Sequence, residues 1–270
     1  MSQSKILNGH RALVTGASSG IGEALAIQLA MAGSDLVLAA RRVDRMEKLA
    51  AELSTKYKIQ VECLSVDLLT AGSVEKLFNE AIKNKPITFL VNNAGIGPWA
   101  PFLDLPWENH AQTLQVNTLA ASELLHRFSQ HMLSHGKKSF IINVASIGAF
   151  APVNGFAIYA GTKVHLRYLS EILSYELRAS KIHISCLCPG GTRTEFLAGA
   201  GQQLTKNGEA FMMTADEVAA IALRGALAGK GIVIPGFLNW ISCMAGRFLP
   251  SRLFLALSSQ AMNKSVKRIM

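Results

Sequence analysis

Seven short apolar runs, set apart by longer helical patterns, constrain this chain more than any other feature. The runs are Ala12–Thr15, Leu36–Ala40, Val61–Val66, Phe89–Val91, Phe140–Val144, Ile182–Cys188 and Ile232–Ile234. Each is too short for a core helix and reads as a buried strand. Between most of them, Glu23–Met31, Asp44–Tyr57, Val74–Ile82 and Thr113–Met132 carry apolar residues at helical spacing. Strands that alternate with helices run parallel, because a parallel neighbour is reached only by a crossover connection. The expected fold class is α/β: a Rossmann-type, doubly wound parallel sheet of about seven strands with helices on both faces. No repeat, linker or low-complexity tract divides the chain. Residues 1–235 therefore read as one domain, and 236–270 as a helical extension packed on it.

The first run ends in Thr15-Gly16-Ala17-Ser18-Ser19-Gly20-Ile21-Gly22 and opens directly into a helical pattern. Glycines at that junction allow a tight turn and let backbone N–H groups approach a pyrophosphate at the helix amino end. The spacing is G-x-x-x-G-x-G, not the commoner G-x-G-x-x-G. The second run decides which dinucleotide fits. An NAD site usually places an acid about 20 residues past the glycines, on the ribose 2′-hydroxyl. Here that end reads Ala39-Ala40-Arg41-Arg42, and Asp35 lies at the opposite end of the run. Two guanidinium groups without an acid suit a 2′-phosphate by charge and by fork geometry. Asp67, ending the third run, can accept from an adenine amino group or cap the turn after it. Asn92-Asn93-Ala94-Gly95, after the fourth run, offers small residues where a ribose would pass.

A second group of residues carries chemistry. Tyr159 and Lys163 stand four apart in a run continued by Leu166, Leu169, Ile172, Leu173 and Leu177. On a helix they share one face. An ammonium beside a phenol favours the phenolate, so the tyrosine pKa is expected to fall towards working pH. That would make it a general acid and base. Ser146, just after the run Phe140–Val144, is placed to bond a substrate carbonyl.

The Thr15–Gly22 turn, Asn92-Asn93-Ala94-Gly95, Ser146, Tyr159-x-x-x-Lys163 and Pro189-Gly190 occur in this order. The chain thereby resembles the short-chain dehydrogenase/reductase family over about Gly9 to Pro235. The resemblance implies an NADP(H)-dependent oxidoreductase that interconverts a carbonyl and a secondary alcohol. It implies that Asn117 completes a tetrad with Ser146, Tyr159 and Lys163 by holding a water in the proton relay. The cofactor would lie along Gly16, Ser18, Ser19, Gly20, Ile21 and Gly22, then Arg41, Arg42, Asp67 and Leu68. Asn93, Ala94, Gly95, Tyr159 and Lys163 would follow, with Pro189, Gly190, Thr192 and Thr194 over the nicotinamide. Reduction of an apolar ketone or ketoacyl chain is the expected reaction. A steroid or other alcohol dehydrogenase working oxidatively is the alternative. The lid is expected over Phe196–Met213, with Phe196, Leu197, Leu204, Phe211, Met212 and Met213 making an apolar pocket. Gly97, Pro98, Trp99 and Phe150 are expected on the opposite wall. The family's usual assembly implies a homo-oligomer, a dimer or tetramer.

The charge distribution addresses other classes. All seven charged residues beyond Glu217 are positive: Arg224, Lys230, Arg247, Arg252, Lys264, Lys267 and Arg268. This stretch is apolar between its charges and holds no nucleic-acid-binding module, so no nucleic-acid partner is expected. Gly231–Gly246 is uncharged throughout but too short to span a bilayer, and is broken by Pro235, Gly236 and Asn239. The tail reads either as basic amphipathic helices for an anionic membrane or an apolar entrance, or as helices packed on the body or between subunits. Cys63, Cys186, Cys188 and Cys243 lack metal-ligand spacing and read as core residues of a reduced protein. His131 and His135 stand four apart without a third ligand, so they read as a solvated helix face and no metal is expected. Met1–Asn8 has no apolar signal-peptide core, which sets the expectation of a cytoplasmic protein, peripheral to a membrane through its tail. A cofactor-sensing protein without catalysis would be expected to have lost Tyr159 or Lys163, and both are present.

Overall fold

All seven apolar runs pair as strands of one parallel sheet in the computed structural model, which describes residues 5–209 and 212–268. The strands are β1 (Arg11–Thr15), β2 (Asp35–Ala40), β3 (Val61–Ser65), β4 (Phe89–Asn92), β5 (Ser139–Val144), β6 (Ile182–Leu187) and β7 (Ile232–Val233). Their spatial order is β3-β2-β1-β4-β5-β6-β7. Thr15 pairs with Ala39 across β1 and β2, and Asn92 with Asn143 across β4 and β5. The chain leaves β1 towards β2 on one side and later returns to β4 on the other. This reversal opens a crevice at the carboxyl ends of β1 and β4, where such sheets bind ligands.

The helices are α1 (Gly20–Met31), α2 (Val43–Tyr57), α3 (Ser73–Ile82), α4 (Trp107–Leu114), α5 (Ala121–His135) and α6 (Ala157–Glu176), followed by α7 (Ala215–Leu227), α8 (Phe237–Phe248) and α9 (Ser251–Ser265). Side chains that alternate along each strand feed two cores. Ala12, Val14, Leu36 and Leu38 pack with α1, α2 and α7, whereas Leu13, Val37 and Ala39 pack with α3 and α5. Both faces are covered, which is why the strands read as apolar runs.

Two segments differ from the sequence reading. The helix expected over Thr113–Met132 starts earlier, at Trp107, and its middle, Gln115–Ala120, is a π-helical turn. The wider turn presents Asn117 to the loop after β4, and such bulges recur at functional sites. The tail does more than add helices. After α9, Val266–Arg268 pairs antiparallel with Gln202–Leu204 in the lid, with Val266 opposite Leu204. Thr205 anchors the junction: its backbone N donates to Ser265 O at 2.9 Å and its hydroxyl to Lys264 O at 2.9 Å. Among the described residues, no helix is long and apolar enough to cross a membrane.

Candidate active site

Gly16 (φ 66°) and Gly20 (φ 62°) take left-handed backbone conformations at the turn between β1 and α1. A residue with a Cβ adopts these only under strain. Gly22 is required for space: a Cβ there would lie 2.3 Å from Gly16 O. Asn93 ties this turn to the end of β4. Its Nδ2 donates to Thr15 O at 2.9 Å, and the backbone N–H groups of Asn93 and Ala94 donate to Thr15 Oγ1 at 3.0 and 3.1 Å. The result is a cradle with glycines at Gly16, Gly20 and Gly22, at the amino end of α1, which fits a pyrophosphate.

The cradle opens into a cleft of about 840 Å3. Every residue expected to act in catalysis or to hold the cofactor lines this cleft except Gly22 and Asn117. Arg42 is held at the cradle: Nε donates to Ser18 Oγ at 3.2 Å and Nη2 to Ser19 Oγ at 2.7 Å. Its Nη1 donates to Glu195 Oε2 at 2.7 Å, and Arg45 pairs with the other oxygen of the same carboxylate at 2.5 Å. The two guanidinium groups, Arg45 foremost, hold the Glu195 carboxyl down at about 2. Arg41 is exposed at the rim. Asp67 lines the cleft while its Oδ1 accepts from Leu69 N at 3.1 Å, which realises the turn-capping alternative.

Tyr159 and Lys163 share a face of α6, as their spacing requires, and Ser146 begins a short 3-10 turn after β5. Ser146 Oγ accepts from Gly148 N at 3.1 Å, and Ser146 and Tyr159 line the same cleft. Gly97 backs the tyrosine ring: a Cβ there would meet Tyr159 Cδ2 at 2.4 Å. Lys163 is buried, 4% exposed; its Nζ donates to Val144 O at 2.8 Å and lies 5.5 Å from the Tyr159 ring centre.

The tyrosine pKa moves against expectation. Burial pushes it up to about 12, with only the Ser146 hydroxyl opposing. The lysine does not reverse this, because its ammonium is turned to the Val144 carbonyl and burial pulls its own pKa down to about 8. Loss of water outweighs the neighbouring charge. The phenol is therefore held in its acid form.

Asn117 is fully engaged. Its Oδ1 accepts from Ile96 N at 2.9 Å, and Nδ2 donates to Ile96 O at 2.7 Å and to Thr162 Oγ1 at 3.2 Å. The side chain thus clamps the loop after β4 onto α6, close to Lys163.

Phe196, Leu197 and Met212 reach the cleft, as do Gly97 and Pro98 opposite. Leu204, Met213, Trp99 and Phe150, expected there, do not line it. Leu204 is taken up by the pairing with Val266, and Trp99 covers Gly155 and donates to Asn154 O at 3.1 Å. Phe150 lies under the Arg167 guanidinium. Phe211 lies outside the described residues. Glu195, Met262 and Val266 are among the cleft residues that were not foreseen. Nothing in their local sequence marks them, since the last two arrive only through the fold-back of the tail.

The histidine pair is half-buried. His131 Nε2 accepts from Ile87 N at 3.3 Å and the His135 ring bonds Ile87 O at 3.2 Å, so both brace the entry to β4. Among the described residues, no group of three or more side chains could hold a metal. All four cysteines are free.

Known proteins are similar to this chain. A curated relative, the very-long-chain 3-oxoacyl-CoA reductase of Phaeosphaeria nodorum, is 31% identical over 186 residues, covering 66% of this chain and 54% of that protein. The chain thus spans about half the length of this relative. The 1-deoxy-11-beta-hydroxypentalenate dehydrogenase of Streptomyces exfoliatus is 33% identical over 218 residues, 80% of this chain and 78% of that one. Among solved structures, a short-chain dehydrogenase from Sphingobium yanoikuyae in complex with NADPH superposes with a TM-score of 0.79 at 32% identity, over 88% of this chain and 93% of that one. The family model described as short chain dehydrogenase matches residues 10–205, from the strand that feeds the cradle to the lid. By that match and these relatives, the chain belongs to the short-chain dehydrogenase/reductase family.

Proposed function

We propose that this protein is an NADP(H)-dependent oxidoreductase that reduces an apolar ketone or ketoacyl compound to a secondary alcohol. The observation that carries this reading is the meeting, in one cleft, of the Tyr159 phenol, the Ser146 hydroxyl and the buried Lys163 amine with the Arg42-bearing cradle. The cradle that a Cβ would fill fits a dinucleotide, with Ser18, Ser19 and Arg42 towards a 2′-phosphate. Bound there, the nicotinamide supplies a hydride to the carbonyl carbon.

The chain's own residues do the rest. Ser146 and Tyr159 donate to the carbonyl oxygen as its charge grows, which is normally the largest catalytic contribution. Tyr159 gives up its phenolic proton, and the Lys163 ammonium beside the ring stabilises the phenolate left behind. Asn117 holds the Ile96 backbone against α6 and so keeps the wall beside Lys163 in place. With its pKa pushed up to about 12 by burial, Tyr159 stands in the protonated form from which reduction draws its proton, though as a weaker acid than a free phenol. Alcohol oxidation would begin from the phenolate that burial disfavours.

The substrate end supports an apolar ligand. Phe156 and Phe196 flank Tyr159 with ring centres 4.9 and 5.5 Å away, and Leu197, Met212, Met262 and Val266 add to the wall. The similar fungal protein is named for very-long-chain 3-oxoacyl-CoA, in keeping with this pocket. A homo-oligomer belongs to the same reading: Tyr168, Ile172 and Tyr175 form an exposed stripe on α6, at 53%, 56% and 67%. The test is a fluorescence titration with NADPH and NADH, followed by NADPH consumption against a panel of aliphatic, ketoacyl and polycyclic ketones. Tighter NADPH binding and turnover of apolar ketones are expected. Equal binding of NADH, or turnover that survives in Tyr159→Phe, overturns the assignment.

A further inference from the structure

Helix α8 is built inside out. Phe237, Ile241 and Phe248 recur at i, i+4 and i+11, with the half-buried Met244 at i+7, a spacing that on a surface helix faces the core. Here that stripe points away from the body. Phe237 is 73% exposed, Ile241 43% and Phe248 80%, flanked by Leu238 at 64% and Trp240 at 48%. The face that packs inward is small and polar. Asn239 lies against Gly190, Cys243 is buried, and Gly246 abuts Ala151 and the Phe150 carbonyl. Helix α9 continues the pattern, with Leu253 and Leu257 exposed one turn apart while Met262 turns into the cleft.

Charge indicates what covers this face. Arg247, Arg252 and Lys264 are exposed on the same two helices, and among the described residues none is in an ion pair. No acidic residue follows Glu217. A second copy meeting this face about a two-fold axis would set its arginines and lysine against their own counterparts, with no carboxylate in the segment to offset them. An apolar face rimmed only by cations complements a surface that offers acyl chains below and anions above.

We propose that α8 and α9 dock the protein on an anionic membrane surface, with Phe237, Trp240, Ile241, Phe248 and Leu253 entering the acyl boundary and Arg247, Arg252 and Lys264 meeting lipid phosphates. Each basic residue near an anionic leaflet contributes about fivefold to partitioning, so these three contribute on the order of a hundredfold.

The test is co-sedimentation of the full-length protein with vesicles of phosphatidylcholine alone or mixed with phosphatidylserine, at low and high salt. Two variants accompany it: Phe237→Ser/Ile241→Ser/Phe248→Ser, and Arg247→Gln/Arg252→Gln/Lys264→Gln. NADPH binding by each variant reports that it is folded, independently of any ketone. The proposal expects binding to the anionic vesicles that weakens with salt, loss of the anionic preference in the charge variant, and loss of binding altogether in the apolar variant. Failure of the folded wild-type protein to sediment with anionic vesicles at low salt overturns it. So does binding unchanged in the apolar variant. If wild type instead shows a concentration-dependent dimer that the apolar variant abolishes, the face belongs to a second copy and the membrane reading is wrong.

Discussion

Phe128 and Phe248 show how differently the two parts of this chain use the same residue. Phe128, on α5, is completely buried between the sheet and α3; Phe248, ending α8, is 80% exposed. In the body, apolar spacing on a helix reports which side faces the sheet, because water drives that side inward. On α8 the same spacing reports the side that faces out. An apolar pattern states that something apolar must cover it, and leaves open whether that partner lies in the same chain.

The contrast can be broken at several points. The largest effect is expected at the catalytic group: Tyr159→Phe should lower kcat by about 10²–10⁴-fold, the usual contribution of a positioned proton donor. NADPH affinity should stay nearly unchanged. Stopped-flow or steady-state rates beside a cofactor titration check both halves of that statement.

Next comes the buried phenylalanine. Phe128→Ala should cost about 3–5 kcal/mol in urea or guanidinium unfolding, and a loss below 1 kcal/mol would mean the second core is far looser than its burial implies. Arg42→Ala should weaken NADPH by roughly ten- to a hundredfold, the value of about 1.5–3 kcal/mol for a charge-assisted hydrogen bond, and leave NADH alone. Glu195→Gln should act oppositely and more weakly, since it frees Arg42 from a competing carboxylate that is exposed and screened. Equal loss of both cofactors in Arg42→Ala would show that the guanidinium supports the turn and does not read the 2′-phosphate.

The pH dependence separates the two members of the pair. Lys163 titrates at about 8 in the folded protein against 10.5 for a free side chain. Burying its charged form opposes folding at low pH, and that penalty fades as pH rises from about 8 to 10.5. Tyr159, raised to about 12, works the other way: its contribution is complete below pH 10 and is lost as pH rises through about 12. The reductive kcat/KM of the protein should therefore fall above about pH 8 as the ammonium is lost, and Lys163→Ala should lack that limb. The smallest effect belongs to the tail. Phe248→Ser should change unfolding stability by less than about 0.5 kcal/mol, as exposed substitutions do. A cost as large as that of Phe128→Ala would mean α8 is buried in the protein as it exists in solution.

Much of this molecule is legible in order along the chain, because the physics behind it is local or periodic. Apolar runs between helical patterns lead to seven parallel strands. Glycines at the end of the first run mark a tight turn into α1, and Gly22 has no room for a Cβ. Tyr159 and Lys163, four apart, share a helix face whatever surrounds them. Non-local contacts decided the rest. Whether the lysine lowers the tyrosine pKa depends on how much water reaches the phenol and on the Val144 carbonyl, neither of which a spacing encodes. Glu195 meets Arg42 across 153 residues. Met262 and Val266 enter the cleft only because the chain doubles back to pair with Gln202–Leu204. Sequence alone determined the fold class, the glycine turn and the shared helix face of Tyr159 and Lys163, since each follows from a repeat or a steric limit a few residues long. Tertiary structure alone decided the burial of Tyr159 and Lys163, the closing of the cleft wall and the outward turn of α8, since desolvation and pairing depend on what distant segments bring alongside.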